Sequence, residues 1–183
     1  MSTRAPGNTL SAAKKRNTPA LRDLLHRAVR RFFVSRGFAE VSTPVRLTTP
    51  ALEPHIDALH DGDAWLRTSP EFQLKRRVMC GAGKIFEIGP CYRAGEQGRL
   101  HNTKFTMLEW YETGADYRRL ITFTNDLIRE VVHEINGEPR FDYQGATIDC
   151  SGTADLMTVD NAFRHFAGTP SADAVQAGRF EEL

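Results

Sequence analysis

Arg93-Ala94-Gly95-Glu96-Gln97-Gly98-Arg99-Leu100-His101-Asn102-Thr103-Lys104-Phe105-Thr106-Met107-Leu108-Glu109-Trp110-Tyr111 joins a polar, glycine-containing loop to an alternating segment. A period of two sends Phe105, Met107, Glu109 and Tyr111 to one face of a strand, and Thr106, Leu108 and Trp110 to the other. Upstream, Lys84 to Ile88 alternates in the same way, Gly89-Pro90 interrupts it, and Cys91-Tyr92-Arg93 resumes extended structure. Two strands joined by a long polar loop predict an antiparallel pair.

Around that pair the sequence reads as helices. Thr18-Pro19 is a helix start, followed by Leu21, Leu24, Leu25, Ala28, Val29, Phe32 and Phe33 at helical spacing until Gly37. Phe38 to Pro44 is a short strand stopped by proline, and Ala64 to Arg67 is another. Ser69-Pro70-Glu71 opens a second helix ending near Cys80. Asp116 caps a third, whose apolar set from Leu120 to Ile135 ends at Gly137. Phe141 to Ile148 reads as a hairpin around Gln144-Gly145, and Val159 to Phe166 as a weaker helix before a small-residue tail. Helices flanking antiparallel strands give an α+β class, not a parallel doubly wound sheet. No Gly-x-Gly-x-x-Gly follows a strand, and no P-loop pattern is present.

The 183 residues, 40% hydrophobic and 26% charged, describe an ordinary globular chain, most economically one domain over residues 18–183 behind a mobile basic tail at 1–17. No stretch approaches the roughly 18 apolar residues needed to span a bilayer, which predicts no membrane role and a cytoplasmic chain. Cys80, Cys91 and Cys150 are widely spaced and odd in number, so they read as reduced packing residues. The histidines are scattered, and His55 with His60 lie in a Pro- and Asp-containing loop, so no histidine metal site is expected. Residues 1–36 hold nine Lys or Arg against Asp23 alone, which suits either a solvated helix face or contact with nucleic acid or an acidic protein partner.

An arginine at a strand end, such as Arg93, is a fixed bidentate donor for phosphate or carboxylate. Gly95 and Gly98 let the next loop fold over a ligand, and Arg99, His101 and Asn102 add donors at the same edge. A solvated hairpin loop is the other reading. A carboxylate on a ring-bearing strand face, as at Glu109, needs a cation, which is either a ligand ammonium or an internal arginine. Glu71 at a helix start either complements the helix dipole or faces a ligand.

Taken in order, these segments resemble the N-terminal part of a class II aminoacyl-tRNA synthetase catalytic domain of the lysine type. The helix ending in Gly37-Phe38-Ala39-Glu40-Val41-Ser42-Thr43-Pro44 resembles motif 1, which in that family makes the dimer interface at Pro44. Thr68 to Arg76 resembles the segment that meets the amino acid, and the stretch from Arg93 to Tyr111 resembles motif 2. Within the family the chain is most similar to the short paralogues that attach β-lysine to a lysine of elongation factor P. Gly98 to Asn102, Glu109-Trp110-Tyr111 and the lack of room for an anticodon-binding domain carry that likeness, which extends over roughly Thr18 to Tyr117.

The resemblance implies that Arg93 is catalytic, holding the α-phosphate of ATP. It implies that Ala94, Gly95, Glu96, His101 and Asn102 line the ATP site and that Phe105 stacks on adenine. Ser69, Pro70, Glu71, Glu109 and Tyr111 would surround lysine or β-lysine. Mg2+ would arrive with ATP, its ligands not identifiable in the chain, and the acceptor would be elongation factor P or, alternatively, tRNA-Lys. A homodimer is implied. The sequence departs from the family pattern at Gly95, where a glutamate is usual, and at Thr103-Lys104, where Pro-Glu is usual. It holds no Gly-x-Gly-x-(Asp/Glu)-Arg of motif 3, the arginine of which closes the ATP site in the family. The alternative expectations are a fragment of a lysyl-tRNA synthetase catalytic domain, or a truncated, non-catalytic paralogue that dimerises and binds a partner.

Overall fold

The computed structural model describes residues 12–176 and 178. These fall into two compact units divided between Asp149 and Cys150. The first begins with helix α1, Ala12–Val34. The expected start at Thr18 is corrected, since the helix continues back through Ala12 and carries Pro19 inside it. The added residues are mostly the helix formers Ala, Lys and Arg, which favour continuation back past Pro19 at the local cost of a proline inside the helix. The remainder of the expected tail, residues 1–11, lies outside the described residues.

Strand β1 (Ala39–Glu40) leads through Thr43 and Pro44 to β2 (Arg46–Leu47), β3 (His60–Asp61) and β4 (Ala64–Leu66). Helix α2 (Glu71–Met79) follows, then β5 (Lys84–Tyr92) and β6 (Lys104–Glu112). β5 and β6 pair antiparallel from Lys84↔Glu112 to Tyr92↔Lys104. The strands β2, β4 and β3 form a second antiparallel sheet.

The antiparallel β5–β6 pair flanked by helices stands as expected, and the short β1 joins it in parallel, Ala39 beside Ile85; a two-residue pairing leaves no periodicity to read. One expectation needs correction: Gly89-Pro90 does not break β5, which runs through both residues. The reason lies in the ladder geometry. The Tyr92 N–H points away from β6, to the Arg67 carbonyl at 2.9 Å. The Pro90 nitrogen, two residues earlier, has the same sense. Proline therefore removes no hydrogen bond to β6.

Helix α3 (Tyr117–Asn136) starts where the Asp116 carboxylate accepts from the Arg119 N–H at 2.9 Å, and it ends at Gly137. It packs with α1 over one sheet face. Ala28, Val29, Phe32, Phe33, Phe123, Leu127 and Val131 meet Phe38 and Phe86 there, with Ile88, Leu108 and Trp110 at the margin. The opposite face carries Glu87, Gly89 and Cys91 of β5 and Phe105, Met107, Glu109 and Tyr111 of β6, as the alternation predicts. Helix α2 packs against both strands. The hairpin β7 (Arg140–Tyr143) and β8 (Ala146–Asp149) turns at Gln144-Gly145, both with positive φ.

In the second unit, α4 (Val159–Ala162) passes into a π-helical turn, Phe163–Ala167, and the expected small-residue tail instead contains α5 (Ser171–Gln176). The cause is a side-chain cap that short-range propensity does not reveal: the Asp160 carboxylate accepts from the Ser171 N–H at 2.9 Å and its hydroxyl at 3.1 Å. Among the described residues, no helix is long and apolar enough to cross a membrane.

Candidate active site

Two clusters share the face of β5 and β6 that is turned away from the α1–α3 core. The first is acidic. Glu109 accepts a hydrogen bond from the Tyr111 hydroxyl at 2.8 Å, a contact made possible because the two residues share a strand face. Burial raises the Glu109 carboxyl above the ordinary range; the Tyr111 bond opposes this, and the negative charge of Glu71 adds to it. Burial and the Glu109 bond push the Tyr111 hydroxyl far above its usual value, so it remains a donor. Glu71, in the first turn of α2, pairs with Lys75 one turn later. The buried Pro70 precedes Glu71, and the Ser69 hydroxyl accepts from the Glu71 N–H at 3.3 Å. A second carboxylate therefore stands beside Glu109, on a helix whose start is fixed by buried neighbours.

The second cluster is cationic and aromatic. Arg93 directly follows β5, its N–H bonded to the Thr103 carbonyl at 2.9 Å. Its guanidinium lies 5.1 Å from the centre of the Phe105 ring and 3.7 Å from a Glu96 carboxylate oxygen. Its Nε is buried and has no hydrogen-bond partner. A half-buried cation stacked on a ring, with a free donor, is suited to an anionic ligand that brings a flat group.

The loop after Arg93 is held at its start, where the Ala94 N–H reaches the Asp57 carbonyl at 2.7 Å. Gly95 has φ of +75°, a left-handed conformation that glycine adopts without the strain a glutamate would carry. The departure from the family pattern thus has a backbone reason, and Glu96, one residue on, supplies the carboxylate nearest Arg93. Gly98 closes the loop onto the His101 carbonyl at 3.1 Å, leaving the His101 and Asn102 side chains exposed. Pro44 is exposed, in the segment between β1 and β2.

Phe105 and Glu109 are four residues apart on one strand, about 13 Å. That face carries a cation and a ring at one end and carboxylates at the other. All five residues assigned to the amino acid and all seven assigned to ATP lie in three segments: the start of α2, the loop between β5 and β6, and β6 itself.

Sequence reading missed a third group beside these. Arg67, Glu87 and Thr43 are 1%, 3% and 4% exposed, and Arg67 and Glu87 form an ion pair of 2.7 Å. A signal was present in Ile85-Phe86-Glu87-Ile88, where the argument applied to Glu109 also demands a cation for Glu87. Cys91, buried on this face, has its thiol pushed up by burial, so it is a packing residue and not a nucleophile.

The family model described as tRNA synthetases class II (D, K and N) matches residues 7–180. A lysine–tRNA ligase of Azoarcus sp. strain BH72 is 36% identical over 163 residues, covering 86% of this chain and 32% of that protein. The lysine–tRNA ligase of Escherichia coli K12 is 34% identical over 178 residues, 94% of this chain and 35% of that protein. That of Chromohalobacter salexigens reaches 40% over 137 residues, 72% and 27% of the two chains. The chain spans about a third of the length of the curated relatives it matches. A match across nearly all of its residues, together with a helix, strand and loop order that brings Arg93, Phe105, Glu109 and Glu71 to one sheet face, places the chain in the class II tRNA synthetase family, in the lysyl-like part of the D, K and N group.

Proposed function

We propose that this chain carries the amino-acid and ATP sites of a cytoplasmic ligase that activates lysine or β-lysine and passes it to a lysine of elongation factor P. In the first step a substrate carboxylate oxygen attacks the α-phosphorus of ATP. The bond from that phosphorus to the bridging oxygen breaks, and pyrophosphate leaves with the electron pair. In the second step the neutral amine of the acceptor attacks the acyl carbon, loses a proton, and AMP departs.

Arg93 holds the α-phosphate and stabilises charge that develops during the attack. Phe105 stacks on adenine, while Ala94, Gly95, Glu96, His101 and Asn102 border the nucleotide. Glu71, Glu109 and Tyr111 hold the amine end, beside Ser69 and Pro70. The observation that supports this reading most strongly is the placement of an arginine with a free buried donor and a ring at one end of a sheet face, and two neighbouring carboxylates at the other.

Class II synthetases use Mg2+ with ATP. Among the described residues no group of three His, Cys, Asp or Glu is arranged to hold a metal, so the residues present do not by themselves fit such a site. A second reading takes tRNA-Lys as acceptor, favoured by the name lysine–tRNA ligase that the relatives carry. In either case a homodimer through the segment ending at Pro44 is proposed.

The test is ATP–pyrophosphate exchange on the purified chain, with lysine and with β-lysine. Exchange dependent on either amino acid is expected. A folded, dimeric chain without exchange would replace this reading with that of a non-catalytic, dimerising paralogue. Transfer assays with elongation factor P and with tRNA-Lys then decide the acceptor.

The raised Glu109 carboxyl gives a pH prediction. Ammonium binding needs the carboxylate, so affinity for lysine should fall as pH drops through a midpoint above the ordinary glutamate value. Glu109→Gln should remove that limb and weaken lysine binding about tenfold or more, roughly 1.4 kcal/mol. Stability should move oppositely. An acid whose folded pKa is raised contributes stability below its unfolded pKa and loses it as pH rises through the folded one. The ligand-free Glu109→Gln chain should therefore melt higher than wild type at pH 7 and lose that advantage near pH 4, as scanning calorimetry can measure.

A further inference from the structure

The face that carries the acidic cluster sets two carboxylates directly opposite one another, because Glu87 of β5 is the register partner of Glu109 of β6. Opposed side chains on one sheet face lie about 5 Å apart, where like charges repel. Only Glu87 is compensated by an arginine. The Arg67 Nη1 lies 2.7 Å from Glu87 Oε1 and donates to the Thr43 hydroxyl at 2.6 Å; that hydroxyl donates to Glu87 Oε2 at 2.6 Å. Arg67 Nε donates to the Pro90 carbonyl at 2.9 Å.

The guanidinium can lie there because residue 89 is glycine. A Cβ at Gly89 would stand 2.2 Å from Arg67 Nη2 and 2.9 Å from Glu87 Oε1. Around Glu109 the other charged and titratable groups are Glu71 and Lys75 of α2, Tyr111 of β6 and the Cys91 thiol of β5, whose pKa burial raises. Lys75 is engaged with Glu71, and Tyr111 donates to Glu109. The lone uncommitted demand for a cation on this face is at Glu109, among the described residues.

We propose that Arg67 is a positioning residue that decides which of two facing carboxylates meets a ligand ammonium: it draws Glu87 inward and neutralises it, leaving Glu109 for the ligand. The identity of that ligand as lysine or β-lysine rests on the reading given above; the division of labour between the two carboxylates does not. Without Arg67, two opposed carboxylates in a poorly hydrated site must share a proton to higher pH, as a coupled pair. That proton competes with the ammonium.

The experiment uses the whole chain, labelled with carbon-13 at the glutamate carboxyls and titrated by NMR, with binding of L-lysine followed by calorimetry at pH 7. In Arg67→Met the Glu87–Glu109 pair should take up its first proton about one pH unit or more above wild type, and lysine affinity should fall about tenfold. In Arg67→Met/Glu87→Gln both should return to wild-type values. An ion pair that served structure alone would change melting temperature and leave the titration in place, which overturns the proposal, as does a double variant that fails to recover. Should Arg67→Met not fold, Glu87→Gln decides: the Glu109 midpoint drops because the Arg67 cation, left without its carboxylate, then acts on Glu109, and an unmoved midpoint refutes the idea. If the titrations behave as expected but wild type binds no lysine, the ligand reading fails and the positioning role stands. Lysine binding with unmoved titrations overturns the positioning role and leaves the ligand reading standing.

Discussion

Arg93→Ala is expected to lower amino-acid-dependent ATP–pyrophosphate exchange by about 100- to 1000-fold, the effect of removing one well-placed donor from a charge that develops in the transition state, roughly 2.7–4 kcal/mol. The side chain has little else to do. Its ion-pair contact with Glu96 is 3.7 Å long and partly solvated, so stability should change by less than about 1 kcal/mol. Its Nε is buried without a partner, a donor that a ligand oxygen would satisfy. Arg93→Lys keeps the charge and loses the planar fork over Phe105, and should recover only part of the rate. A rate for Arg93→Ala within a few-fold of wild type, in a chain that still melts normally, would remove Arg93 from the chemistry and with it the main support for the activation step.

What the sequence reveals here is mostly what is local. Asp116 and Gly137 mark the ends of α3 because caps act within one helical turn. The alternation from Phe105 to Tyr111 correctly sorts the face that meets the helices from the face that carries Glu109, since a strand has one period whatever its neighbours. Failures arise where a residue's partner is far away in the chain. Glu87 finds Arg67 twenty residues earlier and Thr43 still further back, and nothing in the spacing of those three residues announces that they meet. Pro90 misleads because its nitrogen faces away from β6, a fact of register and not of composition. Similarly, α5 depends on an acid eleven residues upstream of its first residue. At the candidate site, residue types and the family likeness lead to Arg93, Phe105, Glu71 and Glu109. The inward turn of Glu87, which leaves Glu109 as the open carboxylate, is visible only in three dimensions.

Phe33→Ala should cost about 3–5 kcal/mol, the range for emptying a fully buried aromatic site, and lower the melting temperature by about 6–20 °C in a chain of this size. Phe33 is 0% exposed and touches five rings. It stacks on Phe86 at 4.6 Å, meets Phe38 and Phe32 edge-on at 5.2 and 5.5 Å, and lies tilted against Trp110 and Phe123 at 5.5 and 5.4 Å. These partners belong to α1, β5, β6, α3 and the residue before β1, so none can close the void without moving a whole element. The upper half of the range is therefore expected. Because Phe86 and Trp110 alternate with Glu87 and Glu109 along β5 and β6, slack beneath the sheet should also reach the ligand face, weakening lysine binding in a variant that remains folded. Phe72→Ala, on the exposed side of α2 where the ring is 52% accessible, should stay within about 0.5 kcal/mol of wild type. Urea unfolding of both variants measures the contrast. Similar midpoints for Phe33→Ala and Phe72→Ala would mean that the ring cluster does not hold the α1–α3 layer to the sheet, and that the rigidity of the site has another source.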